Sequence, residues 1–309
     1  MVATTTGAAV ERRSSRAFAL ALAAVSLVPF VAGPAMASAG LKPAAWSIAV
    51  VILGAPHVGA TLAFYVDDEI RRDRARFYVW PVLAVAVGMA VALAPDVWRA
   101  YAIAAFLGWQ LHHFTRQNLG CFAFLCRARR APGPTPIERR VLDLTTVAAV
   151  CAIPAALIDE PLVAERVLLR VGAIVLVIAA GLAWRCRSDD AVRSAALVFA
   201  IAFYLPLFLF EPGPALLGYG LAHGAQYLLM VGHLPAGRAN PRRMALAVVG
   251  GVGTVGLALH WAMGHTYEPI VFGLFYGLTA AHFLVDAGVW KMRTPEQREY
   301  MRRRFSFLQ

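Results

Sequence analysis

Five histidines of this chain lie inside or at the edge of apolar runs: His57, His112, His113, His223 and His282. An imidazole in such a place is costly unless it binds an ion, pairs with another group or moves protons. His112 and His113 sit in Trp109-Gln110-Leu111-His112-His113-Phe114-Thr115-Arg116-Gln117-Asn118, where an apolar run meets a basic loop. Neighbours on a helix point about 100° apart, so at least one of the two faces the interior. Which one is left open by the sequence. His223 shares a helical face with Tyr227 at i, i+4, and His282 shares one with Asp286. A carboxylate one turn from an imidazole either ligates a metal beside it or accepts from the ring's second nitrogen.

That donor set is nitrogen-rich, with one carboxylate and little thiolate, which favours non-haem iron among the first-row metals. The expected chemistry is metal-dependent oxidation, with one or two irons, O2 as co-substrate, and a lipophilic small molecule as substrate. Asp286 and Tyr227 are the candidate catalytic groups. Gln226, Gln117 and Asn118 are the candidate substrate contacts. Two rival classes use the same residues: a proton-coupled transporter or channel, and a structural assembly protein. A proton relay needs a string of groups along the membrane normal, whereas these histidines converge at one depth. His233 reads as an interfacial residue, and His260 and His265 fall toward the outer side, away from the site.

The elements that must position these side chains follow from composition. Hydrophobic residues make up 60% of the 309-residue chain and charged residues only 15%, against about 25% charged in a soluble domain. Apolar runs near the length that crosses a bilayer recur from end to end. The expected fold is an all-α polytopic transmembrane bundle with spans near 17–38, 45–66, 78–95, 98–118, 141–158, 164–184, 191–211, 214–234, 244–264 and 268–290. These make about ten spans, or nine if the first is a cleaved signal, since Ala37-Ser38-Ala39 resembles a signal-peptidase site. The chain then divides into a basic N-terminal segment with the first span (1–40), a catalytic bundle (41–290) and a basic tail (291–309).

The net charge of +11 does not point to nucleic acid, because no basic stripe runs along one helix face. Of the 29 basic residues, all but Lys42, Arg99, Arg166 and Arg170 fall on one side of the ten-span arrangement. That asymmetry places both ends in the cytoplasm and the protein in the cell (inner) membrane as a multi-pass chain. Even-numbered spans then run inward, and the five histidines lie at or past their midpoints, in a layer about 10–15 Å thick. The basic inner rim (Arg71, Arg72, Arg116, Arg127) flanks the bilayer in the ordinary way and offers a surface for lipid phosphate or a cytosolic electron donor. Cys121, Cys126, Cys151 and Cys186 form no CxxC pair and read as reduced, mostly buried thiols.

Short motifs at these residues bear on known families. The fatty-acid desaturases carry HxxxH and HxxHH boxes, of which only His112-His113 is a partial match. Pro56-His57 resembles the Pro-His-Gly element of the bacterial Brp/Blh family of membrane carotene dioxygenases. His113-Phe114 resembles that family's His-Phe-Gly element, and His223-Gly224-Ala225-Gln226-Tyr227 falls where the family places a His-x-x-x-His pair. The resemblance covers roughly residues 50–235 and implies a helical membrane fold with histidine-bound iron. Val58, Thr115 and Tyr227 depart from the family's pattern, the last replacing a ligand, for which His282 is a substitute. The implied kinship is thus of architecture and metal chemistry more than of substrate.

Overall fold

The computed structural model describes residues 16–40, 56–65, 78–129, 131–157, 163–186, 189–210, 212–233, 240–263, 269–290 and 295–305. Among them every regular element is a helix and there is no strand, the all-α class that the apolar runs imply. In chain order the helices are α1 (Arg16–Ser38, with a turn at Leu27), α2 (Pro56–Ala60), α3 (Leu62–Tyr65), α4 (Trp80–Ala92) and α5 (Asp96–Ala128). They continue as α6 (Pro136–Leu157), α7 (Val163–Arg185), α8 (Ala191–Ala202), α9 (Pro206–Leu209) and α10 (Pro212–Val231). The last three are α11 (Pro241–Met263), α12 (Pro269–Val289) and α13 (Pro295–Arg304). Most of the expected second span, the basic loop with Arg71 and Arg72, and His265 lie outside the described residues. Two helices, Arg16–Ser38 and Arg166–Arg185, are each long and apolar enough to cross a membrane, and Trp80–Ala92, Ala191–Ala202 and Gly273–Val289 are shorter apolar helices.

The chain forms two compact units. The first comprises Met1–Leu41 and Ala104–Gln226, with Ser306–Leu308. Its core is built on α6 and α7, which pack along each other through small residues. A Cβ on Gly172 would lie 2.6 Å from the Ala148 carbonyl oxygen, so only glycine permits that approach. Helix α5 does not stop at Asn118, where its apolar window ends. It runs on to Ala128 because one face stays apolar and buried through Cys121, Phe122, Phe124, Leu125 and Cys126.

The expected span 191–211 is two helices, not one. Pro206 has no N–H to continue the ladder, and the chain turns at Phe203–Leu205 between α8 and α9. The tyrosine hydroxyl of α10 repairs the break. Leu207 N–H donates to Tyr219 Oη at 2.8 Å, and that hydroxyl donates to the Tyr204 carbonyl at 3.0 Å. Backbone groups freed inside an apolar core need such a partner.

At the polar end of this unit Thr135 and Glu138 form a capping box that starts α6, with Pro136 in its first turn. Arg193 grips the same carboxylate with both terminal guanidinium nitrogens, at 2.6 and 2.7 Å, and both side chains are buried. Arg129 pairs with Asp190 at 2.8 Å, while Asp190 also caps α8 by accepting from Val192 N–H and Arg193 N–H. Arg193 and Arg129 are thus committed to ion pairs within the unit, the first buried and the second exposed.

The second unit comprises Lys42–Ile103 and Tyr227–Phe305, with Gln309. Its main seam joins α4 to α12. A Cβ on Gly88 would lie 2.5 Å from the Gly273 carbonyl oxygen and 2.8 Å from Gly277 Cα, so the seam is a backbone-to-backbone crossing of the small-xxx-small kind. Helix α2 packs on α11. Helix α13 folds back, with Gln297 Nε2 donating to the Gly288 carbonyl at 2.5 Å and Phe305 stacked on His233.

The ion pairs give the first unit an acid limit. Burial alone would raise the Glu138 carboxyl, but the hydrogen bonds from Arg193 and Thr135 outweigh it and hold its pKa below the ordinary value. The hydrogen bond from Arg129 leads the causes that lower Asp190. Both groups therefore stabilise the fold fully above the ordinary carboxylate range, and that stabilisation is lost as pH falls through the lowered values. Thermal unfolding in detergent should show a midpoint that drops below about pH 4. Arg193→Met should cost about 3–5 kcal/mol at neutral pH, and less in acid, where Glu138 takes up a proton. A midpoint flat from pH 7 to pH 3 would contradict this.

Candidate metal centre

In the second unit the site grows from three helices. Helix α2 supplies His57 and α12 supplies His282 and Asp286, while Tyr227 comes from α10. All four side chains are buried. The His57 and His282 rings lie edge to face with centroids 4.8 Å apart, and the Tyr227 ring sits 4.9 Å from His282 and 5.5 Å from His57. Thr61, one turn beyond His57, brings its Oγ1 to 2.7 Å from His282 Nδ1 and 3.2 Å from Tyr227 Oη. On the other side of the ring, His282 Nε2 lies 3.6 Å from Asp286 Oδ2. Trp290 Nε1 donates to Asp286 Oδ1 at 3.2 Å, and the Tyr227 hydroxyl is also hydrogen-bonded to this carboxylate.

This arrangement divides the two roles that the sequence left open for Asp286. The outer partner of the imidazole is Thr61, at Nδ1. Asp286 stands at the Nε2 side, where a ligand atom would stand. In the tautomer with its proton on Nδ1, His282 donates to Thr61 and turns the Nε2 lone pair toward the carboxylate. Thr61 and Trp290 were absent from the sequence-based site. A hydroxyl at i+4 from a buried histidine, and an indole at i+4 from a buried aspartate, are the signals that could have found them.

The first unit holds a second pair. His113 on α5 and His223 on α10 have ring centroids 5.0 Å apart, and Phe114 lies against His223 at 4.3 Å. His112 points the other way. It is exposed, with Arg116 Nε 3.4 Å from its Nε2, and Arg116 in turn pairs with Asp143 at 3.2 Å. Beside the pair runs a chain of amides. Gln117 Nε2 donates to the His223 carbonyl and to Gln226 Oε1, both at 2.9 Å. Gln226 Nε2 donates to Asn118 Oδ1 at 3.3 Å and to Ser26 Oγ at 2.9 Å. Gln117, Asn118 and Gln226, expected as substrate contacts, use these groups to tie α5, α10 and α1 together.

Each unit thus holds an imidazole pair with named polar neighbours, buried in the second unit and with His113 half-buried beside buried His223 in the first. Histidines of both units, His57 and His282 in one and His223 in the other, have the type and burial of metal ligands. The donors are nitrogen and oxygen. The cysteines are free, and Cys121 and Cys126 belong to the packed interior. Such a set fits a borderline metal ion such as iron or zinc better than a thiophilic one. No protein-family model, curated protein or solved structure matches the chain.

The division of roles has a direct consequence. Thr61→Val keeps the shape but removes the partner of His282 Nδ1, and should weaken binding of a cobalt(II) probe by about 10–100-fold. His112→Ala, on the exposed face, should leave it unchanged. Optical titration of metal-stripped protein reads both, and equal losses in the two variants would refute the assignment.

Proposed function

We propose that the chain is a multi-pass inner-membrane oxidoreductase that uses histidine-bound non-haem iron and O2 on a lipophilic substrate. The observation that carries this reading is the set of buried imidazoles with oriented neighbours: His282 between Thr61 and Asp286, and His223 beside His113. Its metal is assigned to His57, His282 and Asp286 in one unit and to His113 and His223 in the other. The resemblance of Pro56-His57, His113-Phe114 and the His223 segment to the Brp/Blh dioxygenases supports iron over zinc.

Two kinds of observation support the membrane. Large apolar side chains are exposed along several helices, among them Val82 at 67%, Val177 at 71%, Leu246 at 71% and Val249 at 69%, a pattern that surrounding lipid would cover. Exposed aromatic residues mark helix ends: Tyr78 and Trp80 at the start of α4, Trp98 and Tyr101 at the start of α5. Tyrosine and tryptophan favour the bilayer interface. About ten spans with both ends inside remains the topology that best separates the charges.

Iron held by such a set would supply the redox chemistry for reaction of O2 with a lipophilic substrate. The protein's own residues do the rest. Thr61 fixes the ring of His282, and Trp290 fixes one oxygen of Asp286 so that the other stays beside Nε2. The Tyr227 hydroxyl, between Thr61 and Asp286, can hold or pass a proton where the resembled family has an imidazole. Buried Phe114 against His223 in the first unit, and buried Tyr227 beside His57 and His282 in the second, keep water from the imidazoles they touch. Substrate reaches the site sideways from the lipid, and Arg127, exposed on the basic rim, is available to an electron donor.

Elemental analysis of protein purified from membranes should find about one iron or more per chain. His223→Ala and His282→Ala should each lower that content severalfold while the helical fold persists by circular dichroism. A chain with no stoichiometric metal, or with pH-driven flux in vesicles, would refute the proposal.

A further inference from the structure

We propose that residues 16–38 are a permanent helix of the first unit, not a signal removed at Ala37-Ser38-Ala39, and that Ser26 on this helix is a positioning residue for His223. The second half of this inference rests on the metal reading above; the first half does not.

The secretory h-region of a cleaved signal needs only bulk apolarity. Helix α1 has more than that. Its buried residues Phe18, Leu22, Pro29 and Gly33 recur at helical spacing and form one stripe, with Ser26 on the same line. The stripe meets α10 in matching register. A Cβ on Gly218 would lie 3.1 Å from Pro29 Cα, and one on Gly33 would lie 3.4 Å from the Pro214 carbonyl oxygen. Two glycines, one turn apart along the seam and one on each helix, let the backbones approach. Val28 packs against the aromatic core of Phe203, Tyr204 and Tyr219.

Ser26 adds a polar clasp to this seam. Its hydroxyl donates to the Leu22 carbonyl at 2.7 Å and accepts from Gln226 Nε2 at 2.9 Å. Gln226 accepts from Gln117, and Gln117 donates to the carbonyl of His223. The path from Ser26 to the His223 turn therefore consists of hydrogen bonds only. Removing residues 16–38 would strip one partner from a buried amide and bare the Gly218 face of α10. Gln226 would keep its longer bond to Asn118, at 3.3 Å, and lose the shorter one that anchors it to α1.

The full chain, purified from membranes, gives three tests. Intact mass should include residues 16–38, and a mature chain beginning at Gly40 overturns the proposal. In the double variant Gly33→Cys with Pro214→Cys, the Cβ atoms stand 3.8 Å apart, the separation usual for a disulfide, about 3.8 Å. Mild oxidation should yield the linked peptide, absent from either single variant, and failure to link overturns the packing. Ser26→Ala should weaken cobalt(II) binding by about tenfold, with Ser26→Thr restoring it. Unchanged affinity in Ser26→Ala overturns the positioning role. If the unaltered protein binds no cobalt, that role falls with the metal reading, and the mass and the crosslink still decide whether the helix is resident.

Discussion

A neutral imidazole buried in an apolar bundle has two ring nitrogens of opposite character, and each must be given something to do. That constraint organises much of the chain. His282 meets it with a hydroxyl at one nitrogen and a carboxylate at the other, and the carboxylate is itself held by an indole. His223 is set by an aromatic ring on its face and by a glutamine on its own backbone carbonyl. Among the described residues, buried Thr61 and Asp286 serve His282 directly, and Gln226 bears on His223 through Gln117.

The scaffold around each pair is built to keep such polar groups in register. In the second unit the glycine crossing of α4 and α12 sets the backbone that carries His282. No side chain can slip at a seam where glycine backbones touch, so the position of α12 is well determined. In the first unit the same purpose is served at the polar end by two carboxylate–guanidinium pairs, and in the core by the Tyr219 hydroxyl across the break at Pro206. A buried ion pair of the Arg193–Glu138 kind adds little net stability over an apolar contact, but breaking it is costly, which favours one arrangement of α6 and α8 over others.

Much of this was legible in the sequence, and the rest was hidden for identifiable reasons. Helical class follows from apolar runs with polar breaks, and the pairing of His282 with Asp286 follows from one turn of helix. The choice between His112 and His113 was not legible, since both faces of α5 are mixed there; the exposed surface of the helix holds Arg116, and His112 lies with it. The role of Thr61 needs α2 beside α12, a contact between residues far apart in the chain that no local pattern encodes. Helix α5 outran its apolar window because hydropathy averages over both faces, while burial acts on one. The split of α8 from α9 could have been read from Pro206, and the stripe on α1 from Phe18, Leu22, Pro29 and Gly33. Gln226 and Gln117, expected as substrate contacts, also reach across to neighbouring helices, partners that no local pattern names.

The central claim is that buried imidazoles of this chain hold a redox metal. X-ray absorption at the metal edge, on full-length protein as purified from membranes, tests it most directly. The account predicts iron with a first shell of nitrogen and oxygen and the outer-shell scattering of several imidazoles, with that scattering reduced in His282→Gln. Sulfur in the first shell, or a metal without imidazole scattering, would contradict it.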